Sequence, residues 1–207
     1  MVNNKNKGYS LVEMIIVLAI VGILATMSLI SLTLINNARA KDASNKLGSE
    51  LNQIRKKSIE MTPTKEEINL YGGTYSASKE YRYGMIIYED TGKYVLSEVI
   101  CEYDTTNKCY KYLNLGSALT TDNTTVKLSS KVGLTFKGKY TKFKDGTSVT
   151  CSDKTQPGVK TSDDVVCVMF DKHGNCLSGY GDYFLSKKNA NEVARVIVKQ
   201  NGSIVVR

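Results

Sequence analysis

From Tyr9 to Ile35 the chain is apolar on every side of a helical wheel, broken only by Glu13 and a few small polar residues. Beyond that point the apolar positions thin to a stripe. Ala40, Ala43, Leu47, Leu51, Ile54 and Met61 recur at helical spacing, with Lys, Arg, Asp, Glu and Asn between them. No turn signal separates the two patterns, so they predict one helix from about Tyr9 to about Met61, ~80 Å long. Pro63 ends it, because a proline pushes the residue before it out of the helical region. The two halves call for different burial: the all-round apolar half wants lipid or other apolar helices, the one-sided half a globular partner in the same chain.

Past a polar linker around "TPTKEEINLYGGTYSASKE", short alternating runs take over. "YRYGMIIYE" and "KYVLSEVIC" flank "DTG", a hairpin signature in which Gly92 can take positive φ. "KCYKYLNL", "TVKLS" and "KVGLTFK" follow; the last third reads as strands "DVVCVMF", "DYFLS", "EVARVIVK" and "SIVVR" joined by turns. These pieces stand too close together for crossover helices, so the sheet should be mostly antiparallel. The expected fold class is therefore α+β: a long N-terminal helix, transmembrane and then amphipathic, packed on a small antiparallel β-sheet domain. The organisation predicted is a leader over 1–8, an apolar helix over 9–35, an amphipathic helix over 36–62 and a β-rich globular domain over 63–207.

Candidate chemistry is sparse. The one histidine, His173, sits in the turn "DKHGN", no C-x-x-C pair occurs, and no glycine-rich phosphate loop follows a strand. These absences leave no nucleophile–base set, metal site or cofactor to expect, and the chain reads as a non-enzyme. "SDD" at 162–164 and "SGYGD" at 178–182 could offer oxygens to calcium, but no 12-residue loop of spaced acids holds them. Of the five cysteines, Cys101 and Cys109 form the expected disulfide, since "CEYDTTNKC" reads as two strand ends around a turn; pairing among Cys151, Cys167 and Cys176 stays open. The formal charge of +8 suits anionic partners. Its densest stretch, "FKGKYTKFK", interleaves Lys137, Lys139, Lys142 and Lys144 with Phe136, Tyr140 and Phe143. That combination could hold single-stranded nucleic acid, or could be a strand pair with aromatics inward and a lysine-guarded edge.

Glu13 is the anomaly. A carboxylate in hydrocarbon costs ~2.5–3.5 kcal/mol even on insertion scales, so its presence asks for a function. Ahead of it stand two lysines and no acid in "MVNNKNKG", then the bulky Tyr9, and Glu13 falls at the fifth position after Gly8. This constellation resembles the class III leader of type IV prepilins and of the pseudopilins of type II secretion systems. The resemblance implies a type IV pilin fold, cleavage between Gly8 and Tyr9 by a membrane prepilin peptidase, and methylation of the new Tyr9 amino group. It also implies an assembly register set by Glu13, whose carboxylate would meet the N-terminal ammonium of a neighbouring subunit. A buried charge left without its partner costs ~3–5 kcal/mol, so one stagger of subunits is selected over others.

The C-terminal stretch is similar to minor pilins of the GspH/FimT type, through Phe170, Gly174, Arg195, Ile197 and Gly202. The chain departs from the pattern at three points. Tyr9 replaces the usual Phe, Ile30 stands where major pilins commonly kink at Pro, and "GSIVVR" keeps only Arg207 of a basic DNA-binding end. The implied partners are prepilin peptidase, other pilin or pseudopilin subunits and the membrane, with DNA as an alternative. The implied location is a single-pass membrane precursor that becomes an extracellular or periplasmic filament. A plain membrane-anchored adhesin domain is the alternative that needs no assembly.

Overall fold

The structure, a computed structural model, describes residues 10–104, 109–113, 125–144, 147–156, 166–187 and 192–207; at 28–32, 104, 109–112, 139–144 and 147–156 it describes the backbone alone. One helix, α1 (Leu11–Glu60), runs unbroken through both halves of the predicted pattern and ends at Met61 in extended backbone, two residues ahead of Pro63. The polar linker is in part helical. In α2 (Lys65–Leu70), the Thr64 hydroxyl accepts from the Glu67 N–H and the Glu67 carboxylate accepts from the Thr64 N–H, a reciprocal cap that starts the helix directly after the proline.

Among the described residues eleven strands follow in one sheet: β1 (Glu80–Asp90), β2 (Lys93–Asp104), β3 (Cys109–Tyr112), β4 (Thr125–Lys127), β5 (Val132–Lys144), β6 (Thr147–Gln156), β7 (Val166–Phe170), β8 (Cys176–Ser178), β9 (Tyr180–Lys187), β10 (Glu192–Val198) and β11 (Ile204–Val206). The main path runs β11-β10-β9-β5-β7-β1-β2-β3, with β4 beside β2, β6 beside β5 and β8 beside β7, and the described pairings are antiparallel. The expected β1–β2 hairpin forms on a two-residue turn, Thr91 at φ 46° and Gly92 at φ 77°, which matches the right-handed twist of the strands. Its register continues from Asp90 opposite Lys93 to Glu80 opposite Tyr103.

The stripe read from the sequence is the seam. Ala43, Leu47, Leu51 and Ile54 are buried against Leu96, Leu134, Phe136, Val168, Phe170, Tyr183 and Val196 on one face of the sheet, and Ala40 is buried one turn before them. Met61, the last residue of that stripe, lies past the helix and is exposed. The opposite face is also covered, at Tyr81, Tyr83, Ile86, Val99, Ile100 and Met169, by Ile68 of α2 and Tyr71 just after it. Burial on both faces is why β7 reads as a continuous apolar run rather than an alternation, its residues all buried.

Candidate assembly site

The described part of α1 opens with a cap. The Ser10 hydroxyl accepts from the backbone N–H groups of Val12 and Glu13, and the Glu13 carboxylate accepts from the Ser10 N–H at 2.9 Å. Glu13 therefore has an intrachain partner in the single subunit, at the helix end where the macrodipole favours a negative charge. S-x-x-E before an apolar run is a sequence signature of such a cap, and Ser10 to Glu13 carries it. Gly8 and Tyr9, the predicted cleavage and methylation residues, lie outside the described residues.

Around and beyond Glu13 the helix exposes Leu11, Met14, Ile16, Leu18, Ile20, Ile23 and Met27, and the apolar surface resumes at Leu34 and Ile35. Leu18 keeps 67 % of its surface in solvent, whereas Leu47 and Leu51 keep none. The same residue type on one helix is thus wholly buried in one half and bare in the other. An all-round apolar surface of this kind is a binding surface for an apolar environment. Among the described residues no helix is long and apolar enough to cross a membrane; the expected span over 9–35 begins outside the described residues.

The seam holds this exposed rod to the sheet through polar contacts as well. The Lys57 ammonium sits 2.6 Å from Glu98, and the Ser58 hydroxyl donates to the Tyr83 carbonyl at 3.1 Å. Burial raises the Glu50 carboxyl, Glu98 nearby pushes it further, and Lys57 opposes both. The Arg55 guanidinium donates to the Gly174 carbonyl at 3.1 Å. That carbonyl lies against Gly202, where a Cβ would stand 1.7 Å from its oxygen, and Gly202 holds φ 77°. Two turns, β7–β8 and β10–β11, are thereby docked on each other under α1, and the Gln200 carbonyl accepts from the Cys176 N–H between them. Phe170, Gly174 and Gly202, matched in the sequence to one C-terminal pattern, belong to this one junction. Arg195 stands apart from it: it pairs with Asp182 at 2.7 Å and stacks on the Phe184 ring at 5.0 Å.

Other sequence candidates are placed differently. Cys101 is a free buried thiol, so the expected Cys101–Cys109 bridge does not form. The β2–β3 hairpin does exist, but its register sets Cys109 opposite Asp104 and Cys101 opposite Tyr112, a full three residues apart on the β2 strand. Cys101 lies instead in the same buried cluster as Cys167. Cys167 and Cys176 are free and buried too; burial pushes the Cys176 thiol up to about 12 and Cys167 well above its ordinary range. Phe136 is buried with its ring 4.5 Å from Tyr183, so it has no face left for a base. Lys137 is exposed with its ammonium 5.0 Å over Phe184. The side chains of Lys139, Lys142 and Lys144 lie outside the described residues. Asp171 is committed to its turn: burial would raise its carboxyl, but hydrogen bonds from the Asn175 side chain and from the N–H groups of Asn175 and His173 outweigh it and hold the pKa below the ordinary value.

Residues 3–29 match the family model for the prokaryotic N-terminal methylation motif. The chain carries a class III prepilin leader. In a prepilin such a leader implies processing by a prepilin peptidase and assembly with other pilins, and the architecture beneath it is the pilin-like one, a long helix on an antiparallel sheet. The match covers the leader and the first part of α1; no curated protein and no solved structure matches the chain.

Proposed function

We propose that this prepilin is a structural, non-enzymatic subunit of a type IV pilus or a type II secretion pseudopilus, of the minor GspH/FimT-like kind. In this reading it is cleaved after Gly8, methylated at Tyr9, held in the membrane by residues 9–35, and drawn into a filament through the exposed half of α1. The observation that carries the reading is the continuity of three features along one helix: the methylation motif over 3–29, the bare apolar surface that follows, and the buried seam from Ala40 onward. A helix built only to support the sheet would need no bare apolar half.

Glu13 gives the assembly step its chemistry. Its carboxylate has more lone pairs than the single Ser10 N–H uses, so it can accept from its own cap and from a neighbour's N-terminal ammonium together. Inside a bundle of apolar helices that pairing offsets the desolvation of both charges. Nucleic-acid retention draws no comparable support, since Phe136 is in the core.

The deciding experiment is the N-terminal sequence and intact mass of the chain after co-expression with a prepilin peptidase. A product beginning at N-methylated Tyr9 is expected. An intact Met1 terminus, from a peptidase that processes a control substrate in the same cells, would sink the proposal.

A further inference from the structure

Where α1 leaves the sheet, a crevice of about 430 Å³ is walled by Arg39, Asp42 and Lys46 of the helix, Lys93 after the β1–β2 turn, and Lys127 with the serines beyond β4. Four cations from three elements converge on it against one acid. That acid is committed, with Asp42 3.0 Å from Lys46. Asp90 stands opposite Lys93 in the ladder. Among the described residues Arg39, Lys93 and Lys127 hold no ion pair, and all three are exposed. Bringing like charges to one concave wall is unfavourable unless an anion occupies it.

The crevice has a fixed height. The bare apolar surface of α1 ends at Ile35, and Arg39 is four residues on, ~6 Å along the axis. A bilayer's headgroup layer is ~5–8 Å deep on each side of its hydrocarbon core. With the apolar half of α1 immersed up to Ile35, the Arg39 end of the crevice therefore lies at the level of the lipid phosphates, and its Lys46 end ~10 Å further out. The cations stand on the side of the helix away from the leader, the side that the positive-inside rule leaves poor in Lys and Arg.

We infer that this crevice binds the phosphate headgroup of an anionic membrane lipid. The inference rests on the reading that the apolar half of α1 enters the membrane. Bound this way, the sheet domain is held against the bilayer surface with Lys93 and Lys127 turned towards it. Entry into a filament then breaks these contacts.

The test uses the full chain reconstituted in nanodiscs of phosphatidylcholine alone or with phosphatidylglycerol, treated with an amine-acetylating reagent and read by peptide mass spectrometry. Acetylation of Lys93 and Lys127 should slow about fivefold or more in the anionic discs, that being the gain per cation near an anionic surface. Lys199, in the β10–β11 turn, should not change, and the protection at Lys127 should shrink in an Arg39→Gln, Lys93→Gln chain. Equal rates in the two lipids overturn the inference. Equal protection from inorganic phosphate over neutral lipid also overturns it, by making this a small-anion site. Failure of the chain to associate with either disc overturns the membrane reading itself, and this inference with it.

Discussion

Glu13 makes one interaction within the subunit and, in the proposed assembly, a second with a neighbour, and a single substitution can separate the two. Glutamine at that position keeps an oxygen for the Ser10 N–H, so the cap survives, but it carries no charge for a neighbour's ammonium. Glu13→Gln should therefore be processed like the parent and fail to assemble, whereas Glu13→Leu should lose the cap as well. Mass spectrometry for processing and sheared-filament yield for assembly distinguish the two; a Gln variant that assembles normally would leave the cap as the residue's only role. Gly202 is the second residue whose identity is dictated by geometry. An added Cβ meets the Gly174 carbonyl at 1.7 Å and the backbone is at φ 77°, so strain and steric clash act together. Gly202→Ala should cost ~3–5 kcal/mol, in the upper tail of single substitutions, in urea unfolding measured beside the exposed control Lys199→Ala.

Among elements, α1 was the most legible in the sequence, because its register with the sheet is written in one residue type of position: Ala40, Ala43, Leu47, Leu51 and Ile54 are apolar and buried. Leu51→Ala should cost ~2–5 kcal/mol, as large-to-small changes in a core do. Thr64→Ala should cost only ~1 kcal/mol, the usual loss of a helix cap, although it removes the start of α2. Chemical unfolding of both variants checks the ranking, and equal costs would mean that α2 holds its face of the sheet as firmly as α1 holds the other. The β1–β2 hairpin was legible from "DTG", yet α2 was not read: six residues give too few turns for a period, and its signal is the Thr64/Glu67 cap alone. The insertion of β5 between β9 and β7 was illegible for another reason, since each strand's pattern names its face but not its neighbour. The cysteine expectation failed because proximity in sequence across a turn does not fix which residues oppose each other.

On the scale of the molecule, the buried residues among those described begin at Ala40, so the sheet domain and its half of α1 form a unit without the bare half. A fragment of residues 36–207 should be monomeric without detergent and melt within ~2–4 °C of the full chain in detergent, the shift expected for under 1 kcal/mol at this size. A larger loss would place part of the core in the first half of the helix. The titratable groups bound its stable pH range from both sides. Asp171 is held below its ordinary 3.8, and hydrogen bonding, led by the Thr64 N–H, lowers Glu67 from 4.5. Both contribute stability above those values that is lost as the pH falls through their lowered pKa. Burial raises the Cys176 thiol from 9.0 to about 12, so its contribution is whole below pH 9 and is lost as the pH rises towards 12, with Cys167 acting in the same direction. Midpoints of urea unfolding should form a plateau from about pH 5 to 9 that falls on both flanks. Native thiols at pH 7.5 should also resist alkylation at Cys167 and Cys176 until the fold opens.

The seam of α1 also determines how the molecule carries tension. The helix contacts β10, β9, β1, β11, β7, β5 and β2, crossing the sheet rather than following one edge. A pull on the bare half is transmitted along an unbroken rod of hydrogen bonds and reaches Ala43, Leu47, Leu51 and Ile54 as shear, with all the knobs strained at once. Peeling would free them one by one. A filament drawn by its helices would therefore stretch such a subunit only after the whole seam slipped, which makes the junction between rod and sheet mechanically stiffer than any single contact in it.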